Sequence, residues 1–327
     1  MDVTKVLVAD AVDLACVNLL KDHGIQVDCK LKLTNDQLIK EIDGYEGLIV
    51  RSDTKVTRDI IAASNKLRVI GRAGVGVDNI DIPAATEKGI IVLNAPGGNS
   101  ISACELTCSL ITCLARNVVS AAASLKAGKW ERKLFSGHEL HGKTLAIIGL
   151  GRIGKEVAIR MQAWGMNTIG FDPIVTKDDA AKFNVSKMEL EEIWPLADYI
   201  TVHTPLIEQT RNLINKTALA SCKKGVRIIN VARGGIINEA DLLEALEAGI
   251  CGGAALDVFL QEPPTDETTL KLIANDKVVA TPHLGASTIE AQVRVAVEVA
   301  EQFIALTGKS KTYTKLFGVV NKSVLKE

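Results

Sequence analysis

Little in this sequence is one-sided, and what it lacks narrows what the chain can do. Lysine plus arginine number 38 and aspartate plus glutamate 39, a net charge of −1. Charge so evenly balanced leaves no footprint for nucleic acid or an anionic membrane, and neither is expected as a partner. No apolar run approaches the roughly 18 residues that read as a membrane span. The opening stretch, MDVTKVLVAD, is a charged start followed by a short strand pattern, not a secretory signal. The seven cysteines are odd in number and scattered, with no CxxC pair, which fits a reduced, cytoplasmic protein. Cys104, Cys108 and Cys113 share one helical-looking stretch, but no histidine or fourth thiol accompanies them, so they read as buried apolar thiols and no metal is expected. Low-complexity tracts and short internal repeats are also missing.

What is present is a chain of 327 residues, enough for about two domains. A chain of that size buries roughly three quarters of its unfolded surface and needs no covalent staples. In the first hundred residues, short β-branched runs alternate with helical patterns. Strands are expected at 5–9, 25–29, 47–50, 68–70 and 90–93, with helices near 13–23, 35–41 and 57–63. This βαβα alternation predicts a parallel sheet covered on both faces. Residues 94–99, NAPGGN, break the pattern, and one long helix is expected from Ser100 toward Ala127. A second alternating unit starts at Lys143, with strands at 144–148, 167–171, 198–202, 226–230, 252–256 and 277–280. A last helix over 287–306 follows the final strand and is free to pack back on the first unit.

The most telling stretch is KTLAIIGLGRIGKEVAIRMQAWGMNTIGFD. Its Gly149-Leu150-Gly151-Arg152-Ile153-Gly154 follows an apolar strand pattern and opens a helical one, and Asp172 closes the next strand. That context turns a common GxGxxG into a dinucleotide-binding fingerprint. Gly149 permits the tight turn, Gly151 admits a pyrophosphate to the backbone, and Gly154 lets helix and strand pack closely. The helix N-terminus offers free N–H groups to phosphates. Asp172 suits the two hydroxyls of an adenosine ribose and repels a 2′-phosphate, so NAD is expected rather than NADP.

Hydride transfer from an alcohol carbon also needs a base, a group that orients the base, and a cation for the carboxylate. Segments after the strands of the second unit supply one of each. Arg233 follows VRIINVA, and its planar fork suits a bidentate carboxylate. Glu262 lies in LDVFLQEPP and His283 in VVATPHLGAST. A Glu–His pair favours the protonated imidazole and fixes its tautomer. Ligands of open α/β sheets sit outside the carboxyl ends of the strands, where these segments fall.

These residues carry a resemblance. GLGRIGKEVA, HTPLIEQTRNLIN, INVARGGIINEADLLEAL, the GAALDVF…EPP segment and TPHLGAST resemble, in order, the motifs of the D-isomer-specific 2-hydroxyacid dehydrogenases. The resemblance implies an α/β protein of two doubly wound parallel-sheet domains with the active site in the cleft. The flavodoxin-like substrate domain would be residues 1–98 plus 286–327, and the Rossmann NAD domain 99–285. It makes Arg233, Glu262 and His283 the catalytic set. NAD would contact Val75, Gly149, Gly151, Arg152, Ile153, Gly154, Asp172, Thr204, Val231, Ala232, Asp257, Gly285 and Ala286, with Asp257 facing the nicotinamide amide.

Within the family, EGLIVRSDTKVT, VIGRAGVGVDNID, NAPGGNSISACELT, GKWERKLF and LEEIWPLADYITVHTPL resemble members acting on a small phosphorylated 2-hydroxy acid. Such a substrate needs several cations. Arg51, Ser52 and Arg72 are candidates, with Arg132 reaching the phosphate from a partner subunit. Gly74-Val75-Gly76 would present N–H groups to the carboxylate. A homodimer through the helix after Asn99 and the WERKLF loop is expected. Many relatives continue past the GVVN segment into regulatory domains, and their feedback and tetramer are not expected here. The rival readings are a glyoxylate or hydroxypyruvate reductase, which needs no phosphate cations, and a non-catalytic NAD-sensing corepressor.

Overall fold

The computed structural model describes residues 1–326, which form two compact units. The first unit takes residues 1–100 and the chain from Ala286 onward; the second takes 101–285. In the first, β1 (Lys5–Val8), β2 (Gln26–Cys29), β3 (Gly47–Val50), β4 (Val69–Arg72) and β5 (Ile91–Asn94) form a parallel sheet in the order β2-β1-β3-β4-β5. Helices α1 (Leu14–Asp22), α2 (Asn35–Glu41), α3 (Arg58–Ala62) and α4 (Ile82–Glu87) link them. The strands are short β-branched runs such as GLIV, every residue of which is buried, as a sheet covered on both faces demands. The strand order reverses between β1 and β3, and the loops after those strands are laced together. Asp10 accepts from the N–H groups of Arg51 (2.6 Å) and Thr54 (3.1 Å) and from the Thr54 hydroxyl (2.6 Å).

The single helix expected from Ser100 toward Ala127 is two. Helix α5 (Ser100–Ala115) and α6 (Val118–Lys126) meet at 67°. Asn117 at φ 51° causes the break: a left-handed residue cannot continue a right-handed helix, and asparagine tolerates that region better than most.

Strands β6 (Thr144–Ile148), β7 (Asn167–Phe171), β8 (Ser186–Lys187), β9 (Tyr199–Val202), β10 (Val226–Asn230), β11 (Cys251–Leu256) and β12 (Val278–Ala280) build the second sheet. It is parallel throughout, in the order β12-β11-β10-β9-β6-β7-β8. Helices α7 (Arg152–Ala163), α8 (Lys177–Ala181), α9 (Leu190–Ile193), α10 (Lys216–Ser221), α11 (Glu239–Glu247) and α12 (Glu267–Ala274) connect the strands. Counted from β6, the first six strands run 3-2-1-4-5-6, the doubly wound order of dinucleotide-binding domains. The order reverses between β6 and β9, so the crevice falls at the ends of those two strands. Sequence patterning missed α4 and β8: six and two residues carry too little periodicity.

The chain then returns to the first unit as α13 (Ile289–Thr307), capped by the Thr288 side chain and closed by Gly308 at φ 67°. It lies close to the first sheet because β3 and β4 each offer a glycine beneath it. A Cβ on Gly47 would stand 2.7 Å from the Phe303 ring, and one on Gly71 would stand 2.5 Å from it.

Candidate active site

The phosphate turn forms where β6 ends. Gly149 takes φ 96°, and a Cβ there would meet the His203 carbonyl oxygen, at the end of β9, at 2.5 Å. Gly154 packs α7 against the strand, since its Cβ would fall 2.0 Å from the Gly149 oxygen. At Gly151 a Cβ would meet nothing within 4 Å. That open space lies at the N-terminus of a 12-residue helix with no side-chain cap, the arrangement a pyrophosphate occupies. Arg152 is exposed and Ile153 half-buried at the same turn. The Thr204 hydroxyl is buried with no protein partner, as a group waiting for a ligand would be. These features fit a dinucleotide.

Asp172 is buried after β7. Its carboxylate accepts from the N–H groups of Leu150 (2.8 Å), Ile174 (2.8 Å) and Val175 (3.0 Å). Burial opposes its ionisation, but these backbone donors outweigh it, so the carboxyl lies below its usual range. The same bonds tie the phosphate turn to the β7 end, fixing an anion beside the crevice. Next to the turn, burial pushes the His203 imidazole down to about 3, and the Thr201 hydroxyl lies 3.0 Å from its Nε2.

The second unit also assembles Arg233, Glu262 and His283. His283 Nδ1 is 2.6 Å from Glu262 Oε2, while Glu262 Oε1 accepts from the Phe259 N–H at 3.0 Å. Burial works against a charged Glu262, yet the His283 and Phe259 hydrogen bonds and the nearby Arg233 hold its carboxyl below the usual value. The His283 side chain is 47% exposed, so the ring remains reachable. Sequence reasoning missed Asn230, the buried end of β10. Its side chain accepts from the Ala232 N–H (2.9 Å) and donates to the Arg233 carbonyl (2.8 Å), which sets the turn carrying the arginine. A polar residue directly after the buried Ile228-Ile229 pair, in VRIIN, was the available signal. Gly234 brings this turn against the Glu262 loop, because a Cβ there would lie 1.8 Å from the Phe259 oxygen. Val231 is buried and Ala232 half-buried between them.

Asp257, just past β11, is wholly buried, and its carboxylate binds the segment that carries His283. It accepts from the Thr281 hydroxyl (2.5 Å) and the N–H groups of Leu284 (2.8 Å) and Gly285 (2.8 Å).

In the first unit, Arg51 and Ser52 follow β3, while Arg72 ends the adjacent β4 and leads into Gly74, Val75 and Gly76. The Gly74 N–H donates to the Arg72 carbonyl at 2.8 Å. Tight turning back on Arg72 causes this: a Cβ on Gly74 (φ 159°) would lie 1.8 Å from the guanidinium. Arg132 belongs to the second unit, on an exposed 3₁₀ helix over Arg132–Phe135. Ala286 begins the return into the first unit.

The doubly wound second sheet and its glycine turn fit a dinucleotide, and comparison with known proteins places the chain in a family. Residues 108–285 match the family model of the D-isomer specific 2-hydroxyacid dehydrogenase, NAD binding domain. The chain belongs to that family, and the cofactor of this domain is NAD. Over 322 residues, 98% of the chain, it is 56% identical to D-3-phosphoglycerate dehydrogenase of Homo sapiens. Over 299 residues, 91% of the chain, it is 50% identical to D-3-phosphoglycerate dehydrogenase of Methanocaldococcus jannaschii. It spans 59% and 56% of the length of those two proteins. Among solved structures, D-lactate dehydrogenase of Aquifex aeolicus, complexed with NAD and lactic acid, superposes with TM-score 0.85 at 25% identity, covering 97% of this chain and 99% of that one.

Proposed function

We propose that this protein oxidises 3-phospho-D-glycerate to 3-phosphohydroxypyruvate with NAD, the first step of L-serine biosynthesis. The observation that carries this reading is the 56% identity, over nearly the whole chain, to an enzyme named for that substrate. The site supports it. His283 takes the C2 hydroxyl proton on its imidazole, while Glu262 holds the ring at Nδ1 and stabilises the imidazolium that forms. Arg233 clamps the carboxylate and polarises the C2 oxygen. The 149–154 turn, Asp172 and Thr204 would hold NAD, which would supply the acceptor for the C2 hydride. Arg51 and Arg72 bind the phosphate, helped by Arg132 from a partner subunit.

The native state in this reading is a cytoplasmic homodimer. Its support is the run of exposed apolar residues over 118–134: Val118, Val119, Leu125, Trp130 and Leu134 are 48–76% exposed. Among the described residues no single helix is long and apolar enough to cross a membrane.

Arg51→Ala tests the substrate. It should raise KM for 3-phospho-D-glycerate about 10- to 100-fold, the scale of one charge-assisted contact, and leave KM for D-glycerate little changed. Equal losses on both substrates would contradict the phosphate assignment.

A further inference from the structure

We infer that Asp257 is a positioning residue for the base: its buried carboxylate clamps the 281–285 loop and so sets the backbone from which His283 presents its imidazole. The inference rests on the reading of His283 as the base. It assigns Asp257 a task separate from any contact with the nicotinamide.

The geometry is a bracket around one residue. On the N-terminal side of His283, the Thr281 N–H donates to the Leu256 carbonyl at 2.9 Å and the Thr281 hydroxyl to Asp257 Oδ1 at 2.5 Å. On the C-terminal side, the Leu284 N–H donates to Oδ1 and the Gly285 N–H to Oδ2, each at 2.8 Å. His283 itself donates its N–H to the Asp257 carbonyl at 2.8 Å. Every link leads to the end of β11, a strand in the interior of the sheet.

The bracket answers a need. His283 sits at φ 55°, in the left-handed region that a residue with a Cβ avoids. Such a conformation persists only where its surroundings over-determine it. The approach is also close: a Cβ on Gly285 would lie 3.3 Å from Asp257 Oδ2 and 3.1 Å from Val231. A loop free to relax would lose the 2.6 Å contact between His283 and Glu262, because Glu262 is anchored separately, through the Phe259 N–H. An aspartate suits the task because both its oxygens only accept, and all three partners donate. Asparagine has nearly the same shape but turns an –NH₂ group toward one of those donors.

The test is Asp257→Asn, with His283→Asn and Thr281→Val beside it. Asp257→Asn should lower kcat about 10- to 100-fold, the usual cost of a misplaced catalytic group. The Kd for NAD, from quenching of tryptophan fluorescence, should stay within about twofold of the unaltered protein. In the protein without NAD, amide exchange at Leu284 and Gly285 should accelerate at least about 10-fold. Thr281→Val removes one donor only, and should shift kcat and exchange in the same direction by less; it decides the matter if Asp257→Asn does not fold. Weakened NAD binding with kcat and exchange unchanged would overturn the inference and make Asp257 a cofactor contact. Unchanged kcat in both variants, beside a His283→Asn that has lost turnover, would overturn it while sparing the base. Full turnover in His283→Asn would instead refute the reading on which it rests.

Discussion

At the scale of single residues, what could be read was residue type and position after a strand. Arg233, Glu262, His283 and Asp172 could be named as candidates from segments alone, because each follows an apolar run that must end at one edge of a parallel sheet. Supporting residues could not. Asn230 holds the Arg233 turn and Asp10 the Arg51 loop, through hydrogen bonds to backbone whose shape only folding sets.

Two predictions belong to this scale. Glu262→Gln removes a carboxylate that the site holds ionised and that meets His283 Nδ1 at 2.6 Å, so kcat should fall about 10- to 100-fold while the Kd for NAD stays within about twofold. An unchanged kcat would separate Glu262 from His283. The second concerns stability. His203 keeps a neutral ring in the fold but takes a proton when unfolded. The unfolded state therefore binds more protons, and stability should fall as pH drops from about 6.5, the free value, toward about 3. Its slope is at most about 1.4 kcal/mol per pH unit, an upper bound because His203 keeps some contact with solvent. Asp172, whose carboxyl is lowered, acts in the same direction: its contribution is present above the unfolded value and lost as pH falls through the folded one. Urea unfolding at pH 7 and pH 4 measures the sum, and replacing His203 by Asn should flatten the slope above pH 4.

At the scale of elements, buried parallel strands announce themselves as short apolar runs, and the long strands fell within a residue or two of their expected places. Boundaries and breaks were harder to read. The bend at Asn117 hinges on one residue's φ in a stretch whose composition stays helical throughout. The glycines of the phosphate turn carry this scale's prediction, since the structure separates their tasks. Gly154→Ala drives a Cβ to 2.0 Å from the Gly149 oxygen and wedges α7 off β6. It should cost about 1–3 kcal/mol of stability, the range for overpacking, together with NAD affinity. Gly151→Ala meets nothing within 4 Å. It should leave stability within about 0.5 kcal/mol while still weakening NAD binding, because the added methyl fills the space open to the pyrophosphate. Chemical denaturation and a fluorescence titration on both variants check the pair. Equal effects would mean that the two glycines share one role.

At the scale of the whole molecule, alternation of strand and helix told of two α/β units, and the return of the last helix to the first was consistent with its position after the final strand. Assembly is written less plainly, because a surface that meets a partner reads like core. Trp130 and Leu134, 76% and 70% exposed, are the residues a homodimer should cover. Light scattering at micromolar concentration should report a dimer, and Trp130→Glu should shift it toward monomer. A monomeric unaltered chain would remove the proposed interface and the role of Arg132 with it.

The most direct test of the central claim is the rate of NADH formation across a panel of 2-hydroxy acids at saturating NAD, with the chain as it stands. The account predicts that kcat/KM for 3-phospho-D-glycerate exceeds that for D-glycerate and D-lactate by at least about 10-fold, the worth of one charge-assisted phosphate contact. Equal or better turnover of an unphosphorylated acid would contradict it.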